Sequence, residues 1–290
     1  MKRGLNDKAF DWTMLLIVGF TSIVCLLPII YILSVSFSSS MAIAARKVLL
    51  WPVEFTGKSY AAVFTDKSMV NSMIFTIWIT LVGTTLSLIM TILCAYPLTK
   101  KNLKGRNFIL VFIVITMYFG GGMIPEYLLV KQLGMVDKPM ALIIPYCLSA
   151  FNMIILKTFF SNLPESLEES AFLDGASHFV ILTRIVIPLS MPVLATLALF
   201  YAVGRWNGFQ DALIYISKQE YFPLQMKLYQ LIYNNQMSEI AQQEGSSVTQ
   251  LAPESLKAAA VMFATIPILL VYPWLQRYFI SGVMIGAIKG

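Results

Sequence analysis

Long stretches with almost no charged side chains are the feature that most constrains how this 290-residue sequence can fold. An ionised side chain at bilayer depth costs about 2.5–3.5 kcal/mol on insertion scales, so charged residues mark the ends of membrane spans. Six apolar windows approach or exceed the roughly 20 residues that a helix needs to cross a bilayer. They cover residues 12–35, 69–98, 107–130, 139–156, 185–204 and 258–276. The pattern predicts an all-α integral membrane protein with six transmembrane helices.

Composition excludes several other classes of protein. Hydrophobic residues make up 58% of the chain and charged residues 12%, whereas soluble proteins carry about 25% charged residues. The net charge of +6 suits basic anchors at a membrane surface and does not indicate a nucleic-acid partner. His178 is the only histidine, and Cys25, Cys94 and Cys147 lie far apart inside apolar stretches. The sequence therefore predicts neither a metal site nor a disulfide framework.

The first window has two interpretations. Lys2 and Arg3 precede it, and Ser38 to Ser40 follow it, which is the layout of a cleaved signal peptide. Its apolar core is longer than the roughly 7–15 residues of such a peptide. We therefore predict a permanent helix.

The third window is interrupted by Gly120 to Gly122 and Pro125, and we predict one interrupted helix there. Irregular backbone at bilayer depth is tolerated only where it is buried in protein or lines a water-filled cavity, so this break points toward a transport path. Aromatic and polar residues near the break and in the fourth window are candidates for lining this path. The aromatic residues could alternatively serve only in packing, and Glu126 could alternatively be an interfacial residue. The candidates are Tyr118, Gly121, Glu126, Tyr127, Tyr146 and Asn152.

The charge of one short connector predicts the orientation. Residues 99–106 carry four basic residues and no acid, so this connector belongs in the cytoplasm. With six spans both termini, residues 1–11 and 285–290, then also face the cytoplasm and enclose a six-helix transmembrane domain over 12–284. The long loops 36–68 and 206–254 fall outside.

The remaining cytoplasmic loop, residues 161–188, carries a short helix. Ser161 or Asn162 is expected to cap it, Pro164 suits its first turn, and Gly175 is expected to end it in the left-handed conformation. Small and apolar side chains recur at helical spacing between these ends, so about three turns could dock in a groove of a partner. Acidic residues at such a helix could alternatively be no more than solvated caps.

The spacing within this loop resembles the EAA loop of permease subunits of ABC importers, E-A-A-x3-G-x9-I-x-L-P. The matching residues are Glu169-Ser170-Ala171, Gly175, Ile185 and Ile187-Pro188. Ser170 and Ile187 depart from the pattern conservatively in size. The resemblance implies a coupling helix that sits in a cleft of an ATPase subunit. The residues assigned to coupling are Glu168, Glu169, Ser170, Ala171, Asp174 and Gly175.

Further segments resemble the carbohydrate-uptake branch of these permeases, in particular the maltose-type inner subunit. They are FGGGMIPEYLLVKQLGM, SAFNMIILKTFF, FYAVGRWNGFQDALIYI and GVMIGAIKG. The resemblance implies a bacterial inner-membrane protein that works with a second homologous permease, an ATPase dimer and an extracytoplasmic solute-binding protein. It also implies that the loop 206–254 reaches the binding protein and that residues 286–290 reach the ATPase interface.

We therefore expect an ATP-driven importer subunit for an oligosaccharide, acting by alternating access. The GGGMIP segment is similar to permeases for polysaccharide fragments, including uronates such as alginate. The chain itself lacks a phosphate-binding loop, because Pro52 stands where the first glycine ahead of Thr56-Gly57-Lys58-Ser59 is required. We expect no cofactor and no enzyme activity here, with ATP bound and hydrolysed by the partner. The alternatives are a permease for a non-sugar solute, an ATPase-independent secondary transporter and, least favoured, an intramembrane hydrolase.

Overall fold

The computed structural model describes residues 5–243 and 253–287, and the side chains of residues 10–233, 253–271 and 273. Every regular element in that part of the chain is helical, as predicted. The α-helices are α1 (Leu5–Ser36), α2 (Ser40–Ala44), α3 (Lys58–Thr65), α4 (Lys67–Ala95), α5 (Arg106–Tyr118), α6 (Met123–Gln132), α7 (Ala150–Ser161), α8 (Glu165–Leu173), α9 (His178–Ile181), α10 (Ile187–Leu189), α11 (Met191–Asn207), α12 (Gln210–Tyr215), α13 (Leu224–Gln243) and α14 (Glu254–Ala287).

Three helical stretches are long and apolar enough to cross a bilayer unaided: Phe10–Ser36, Lys67–Thr99 and Glu254–Val271. Three further candidates are bent pairs of helices. α5 and α6 meet at 116°, the segment Pro139–Tyr146 and α7 meet at 47°, and His178–Leu189 and α11 meet at 82°. The described residues thus provide three to six crossings, and six if each bent pair is one span.

The fourth window is not the single helix that the sequence predicted. It begins as two 3-10 turns, Pro139–Leu142 and Ile144–Tyr146. α7 starts only after Ser149, whose side chain accepts a hydrogen bond from the backbone N–H of Asn152. Proline has no N–H to donate, so the two prolines of this stretch prevent an uninterrupted α-helical ladder.

The fifth window is also broken. A π-helical stretch, Leu182–Val186, precedes a break at Ser190, whose N–H is shared between the carbonyls of Val186 and Ile187. Pro188 and Pro192 remove two donors on either side of that break. The third window turns more sharply than one interrupted helix would, and Gly122 adopts a positive φ of 85° at the turn.

The predicted outer loops contain helices. α2 and α3 lie in residues 36–68, and α12 and α13 lie in residues 206–254. Residues 206–254 are polar toward their end, so the sequence did not indicate α12 and α13. Leu224, at the start of α13, is nevertheless fully buried. Residues 244–252 and 288–290, which include parts of the predicted binding-protein loop and of the C-terminal tail, lie outside the described residues.

The chain divides into two compact units, Met1–Val70 with Leu228–Ile266, and Asn71–Lys227 with Pro267–Gly290. In the first unit, the end of α1 packs on the following loop and on α14 through Val35, Ala42, Val48 and Ala258. The most apolar window of α1 buries none of its residues against the chain. An apolar helix exposed in this way suits a lipid environment.

The second unit holds two apolar cores. One packs the end of α4 against α7, α8, the π-helical stretch and α11, with Met153, Leu156 and Leu197 fully buried. The other packs α4 and α6 against the 3-10 turns and α12, around Ala141 and Tyr215. The cavity and the short helix described below both belong to this unit.

Candidate functional site

A cavity of about 450 Å³ opens within the second unit. It lies among α4, the 3-10 turns before α7, α7 itself, α11 and α12. Most of its lining is apolar, and the polar side chains collect on one part of the wall. Those used below are Tyr146, Ser149, Asn152, Tyr201, Arg205 and Asp211. An apolar cavity with a few convergent polar groups is the usual form of a small-molecule site.

Asn152 lies in the first turn of α7. Its backbone N–H is bound by the Ser149 hydroxyl at 3.3 Å, which fixes the start of the helix and the direction of the side chain. The residue is only 6% exposed. Among the described residues, no group forms a hydrogen bond with its side-chain amide, which faces the cavity.

Arg205 lies in the last turn of α11 and donates hydrogen bonds to backbone carbonyls. Its Nη1 donates to the carbonyl of Leu142, and its Nη2 donates to the carbonyl of Ile143 at 3.0 Å. The Leu142 carbonyl lacks a 3-10 donor because the residue three positions later is Pro145. The arginine thus supplies the hydrogen bonds that the broken helix cannot make for itself.

The side chain of Arg205 passes close to Gly83 on α4. A Cβ added at Gly83 would lie 3.2 Å from the Arg205 Nε. The guanidinium carbon also lies 5.7 Å from the centre of the Tyr146 ring, within the range of a cation–π contact. Gly83 therefore leaves the room that the arginine needs to reach the carbonyls.

Asp211 stands beside this arginine on α12. Burial raises the pKa of its carboxyl, while the hydrogen bond from Tyr146 and the charge of Arg205 lower that pKa by lesser amounts. Asp211 thus lines the cavity on a partly desolvated part of its wall.

Tyr201 ties three helices together. Its hydroxyl lies 2.7 Å from the Thr91 hydroxyl on α4 and accepts a hydrogen bond from the Ser149 N–H at 3.2 Å. Thr91 is fully buried. These bonds hold the wall at the point where α4, α7 and α11 approach one another.

Only two of the six predicted path residues line the cavity: Tyr146 and Asn152. Tyr127 stacks on Tyr215 at 6.3 Å with nearly parallel rings. Tyr118 ends α5 and is 78% exposed. Gly121 lies in the break, and Glu126 lies exposed in the first turn of α6.

Sequence reasoning missed Tyr201, Arg205 and Asp211. In the sequence, Arg205 is simply the first charged residue after the fifth window, 185–204. A signal was present, because an arginine at a predicted span end is followed by an aspartate within two helical turns. Intramembrane or interfacial charges of this kind mark functional positions by default.

The predicted short helix exists as α8, Glu165–Leu173. The expected cap was wrong: Ser161 ends α7, where its hydroxyl bonds to the Lys157 carbonyl, and Pro164 occupies the N-cap without a side-chain bond. His178 begins the short helix α9, and its ring packs edge-on against Phe172.

The end of α8 is as predicted. Gly175 has a φ of 81° and donates to the Phe172 carbonyl at 3.0 Å. Ala176 donates to the Ala171 carbonyl at 2.9 Å. These two bonds form a Schellman motif, which satisfies carbonyls left open at the helix end.

Two ion pairs hold the start of α8 to the connector after α4. The Lys100 ammonium bonds to the Glu168 carboxylate, and Lys101 Nζ lies 2.7 Å from Glu165 Oε1. Lys100 also lies 4.4 Å from the centre of the Tyr96 ring. The hydrogen bond from Lys101 lowers the pKa of Glu165, and the charge of Lys101 adds to this effect.

The other residues assigned to coupling divide into inward and outward positions. Ala171 is buried in the core shared with α4, α7 and α11. Ser170 bonds internally to the Ser166 carbonyl at 2.8 Å. Glu169 and Asp174 are exposed, and so is Leu173, at 90%. One edge of α8 is thus anchored in the unit while acidic and apolar side chains face outward.

The described residues combine an all-helical fold, three to six candidate crossings, a cavity with a cluster of polar side chains inside one helical unit, and a short helix held by two ion pairs. These features indicate a helical membrane protein with an internal cavity. Residues 83–285 match the family described as binding-protein-dependent transport system inner membrane component. The chain belongs to this family, and is therefore a transport permease subunit rather than a catalytic one.

Several relatives are similar over nearly their whole length. Protein LplC of Bacillus subtilis is 43% identical over 98% of this chain and 97% of the relative. The polygalacturonan/rhamnogalacturonan transport system permease protein YtcP of the same organism is 38% identical over 99% and 100%. A chain in the crystal structure of a bacterial ABC transporter that imports the acidic polysaccharide alginate has a TM-score of 0.86 at 33% identity, covering 96% of this chain and 99% of that one. The predicted carbohydrate ABC permease family is confirmed.

Proposed function

We propose that this permease imports oligosaccharides that contain uronate units. The observation that supports this most is the full-length similarity to a permease for polygalacturonan and to one for alginate. Both of those polymers are built from sugars whose C6 carbon is a carboxylate. The cavity suits the transport path of such a molecule, because its apolar wall carries a cluster of hydrogen-bonding side chains.

The subunit works as half of a heterodimeric pore. A second homologous permease forms the other half, an ATPase dimer binds at the cytoplasmic face, and an extracytoplasmic binding protein delivers the sugar. The fully exposed apolar window of α1 supports contact with lipid or with the second permease. Both termini face the cytoplasm, and ATP is bound only by the ATPase, so this chain needs no cofactor.

α8 is the coupling helix in this proposal. Its buried Ala171 and its two ion pairs support transmission of a rigid-body movement from the ATPase to α4, α7 and α11. Glu169 and Asp174 face outward and are available to basic groups of the ATPase cleft. Closure of the ATPase dimer then drives alternating access.

Reconstitution of the complete complex tests the substrate class. Proteoliposomes that contain both permeases and the ATPase are supplied with binding protein loaded with an alginate tetrasaccharide, with maltotetraose or with amino acids. We expect the uronate to stimulate ATP hydrolysis and uptake most strongly. Stimulation by amino acids alone contradicts the sugar assignment, and uptake in vesicles that lack the ATPase identifies a secondary transporter.

Glu169→Lys tests the coupling assignment in the same vesicles. We expect normal insertion and assembly but uptake at least several-fold lower per ATP hydrolysed, because a lysine would repel basic groups in the ATPase cleft. Lys157→Glu, a charge reversal outside α8, is the matched control. Normal uptake by the Glu169 variant contradicts the assignment.

A further inference from the structure

A second cavity, of about 710 Å³, lies within the first compact unit, where α1 ends and α14 begins. The last turns of α1, α2 with the residues that follow it, and the start of α14 form its wall. Its charged lining residues are Arg46, Glu254 and Lys257, so basic side chains outnumber the acidic one. The cavity shares no lining residue with the one in the second unit.

Arg46 occupies a backbone position that usually carries glycine. Its φ is 55°, in the left-handed region that costs a residue with a Cβ about 1–2 kcal/mol. The Arg46 N–H donates to the Ile43 carbonyl at 2.9 Å, and the Lys47 N–H donates to the Ala42 carbonyl at 3.0 Å. These bonds form a Schellman motif at the end of α2, with Arg46 at the glycine position. A strained residue that persists where glycine would serve indicates a task for its side chain.

The positive charge of Arg46 is not neutralised by the described part of the chain. The side chain is exposed, and none of the described residues forms a hydrogen bond or an ion pair with its guanidinium. The acid nearest to it in sequence, Glu54, is bound by the Ser39 hydroxyl instead. The N–H groups of a guanidinium form a fork that matches the oxygens of a phosphate. Arg46 therefore presents an anion-binding group on the cavity wall.

The cavity lies at one end of a helix that suits a lipid environment. The most apolar window of α1 buries none of its residues against the chain. Tyr31 lies in the last two turns of α1, is half-exposed and lines the cavity. Tyrosine is enriched at the level of the lipid head groups, because its ring is apolar and its hydroxyl is polar. The cavity is thus placed at head-group level, and the apolar surface of α1 extends from it into the bilayer.

The loop after Arg46 carries an exposed apolar tip. Leu49 lines the cavity and is largely exposed, and Trp51 is 82% exposed. Arg46 and Lys47 directly precede this tip. Apolar and aromatic side chains beside basic residues fit the boundary between phosphates and acyl chains, whereas in water they would form an uncovered patch. The tip therefore favours a lipid over a soluble anion.

We propose that this cavity binds the phosphate-bearing head group of a membrane phospholipid, with the Arg46 guanidinium as the main contact of the phosphate and the acyl chains against α1. Lys257 adds positive charge to the wall. The carboxylate of Glu254 is an acceptor for the donor end of the head group, an ammonium or a glycerol hydroxyl. In the proposed orientation the lipid belongs to the outer leaflet. The inference goes beyond the proposed function, because it is independent of the solute that the complex transports.

Native mass spectrometry of the delipidated complete complex tests the site. Phosphatidylglycerol, phosphatidylethanolamine and a diglucosyl-diacylglycerol with the same acyl chains are added separately, and the last of these has no phosphate. We expect the first molecule of either phospholipid to bind at least about tenfold more tightly than the glycolipid, the effect of a hydrogen bond to a charged group. Equal binding of all three lipids overturns the phosphate contact.

Arg46→Asn removes the charge while keeping the backbone, because asparagine tolerates the left-handed region better than most residues. We expect this variant to bind the first phospholipid about tenfold more weakly than the wild type. Lys58→Asn is the matched control, since Lys58 is exposed in the same loop, 36–68, and does not line the cavity. It should match the wild type. Equal phospholipid binding by Arg46→Asn and the wild type overturns the site.

Thermal unfolding separates a lipid-binding role from a structural one. Arg46→Asn should leave the Tm of the lipid-free complex unchanged or raise it, because the substitution relieves backbone strain. Added phosphatidylglycerol should raise the Tm of the wild type more than that of the variant, since a ligand of the folded state stabilises it. A lowered Tm of the lipid-free variant assigns Arg46 a structural role and overturns the proposal.

A photoactivatable phosphatidylglycerol, with a diazirine near the head group, identifies the occupant. It should label peptides from the end of α1 and from α2 in the wild type, and this labelling should decrease in Arg46→Asn. Labelling confined to the second permease overturns the lipid site. Displacement of the probe by millimolar inorganic phosphate identifies a site for soluble anions and also overturns it. Sugar uptake is measured separately, so each of these outcomes leaves the proposed function unaffected.

Discussion

The ammonium of Lys100 bonds to the carboxylate of Glu168, although 68 residues separate the two in sequence. Each side chain is 26% exposed, so the pair is partly shielded from water. Lys100 is also steadied by the ring of Tyr96, which packs edge-on against Phe160 at the end of α7. The pair therefore links α8 to the ends of two longer helices.

Reversing the charge of Lys100 should weaken coupling. In Lys100→Glu two carboxylates would face each other, so we expect uptake per ATP to fall about two- to fivefold, the range of a modest ion pair. The exchange Lys100→Glu with Glu168→Lys should restore most of it, and a double-mutant cycle measures the recovery. Lys101→Glu is the control: its pair with Glu165 is 78% and 72% exposed, so its effect should be smaller. Failure of the exchange to recover coupling contradicts the link.

Arg205→Ala should destabilise the complex because it removes hydrogen-bond donors from backbone carbonyls in the broken fourth window. It leaves the carbonyls of Leu142 and Ile143 without their donors, and hydrogen bonds to a charged group contribute about 1.5–3 kcal/mol. We expect the free energy of unfolding to fall by about that amount and the Tm to fall with it. Arg205→Lys should recover little, because a single ammonium does not reproduce the two-pronged geometry. Equal Tm values for all three proteins would show that the carbonyls do not depend on the arginine.

Asp211 should make stability depend on pH in a definite direction. Burial raises the pKa of this carboxyl in the folded protein above the value near 3.9 of an exposed aspartate. The folded state thus favours the protonated form, and stability falls as pH rises from the unfolded pKa through the folded pKa. We expect Asp211→Asn to remove this part of the pH dependence and to raise the Tm near neutral pH relative to the wild type. Tm values measured from acid to neutral pH, with the exposed Asp174→Asn as the charge-matched control, test the sign.

Gly175→Ala should weaken the end of α8. The φ of 81° at this position costs a non-glycine residue about 1–2 kcal/mol, so both the Tm and uptake per ATP should fall. Gly175→Asn should be milder, since asparagine tolerates the left-handed region better. Gly57→Ala is the control, because Gly57 has a φ of −96° and open space around it. An alanine variant as stable as the wild type would show that the turn relaxes without loss.

The long helices and the short helix of the loop 161–188 could be predicted from the sequence, because charges and glycine act locally. Lys67 and Gly175 mark boundaries that depend only on neighbouring residues. The breaks at Pro145 and Ser190 could not be predicted in form, since the bend angle depends on packing against other helices. A proline indicates that a ladder is interrupted but not how its free carbonyls are satisfied.

The cavity was predicted only in part for a related reason. Tyr146 and Asn152 were candidates because of their residue types, whereas Tyr118 and Tyr127 were equally plausible on the same grounds. Which of them meet depends on the turn between α5 and α6 and on the position of α12, and both are tertiary features. Arg205 carries no local signal that its partners are carbonyls 63 and 62 residues earlier.

The hydroxyl of Tyr201 has a mechanical consequence for alternating access. It joins Thr91 and the first turn of α7 through a single oxygen. If α7 swings away from α4 during the cycle, at least one of the two bonds must open, and its loss contributes to the barrier between the inward-facing and outward-facing states. If both bonds persist, α4, α7 and α11 move as one rigid unit, and the hinge lies in the bent segments that flank them.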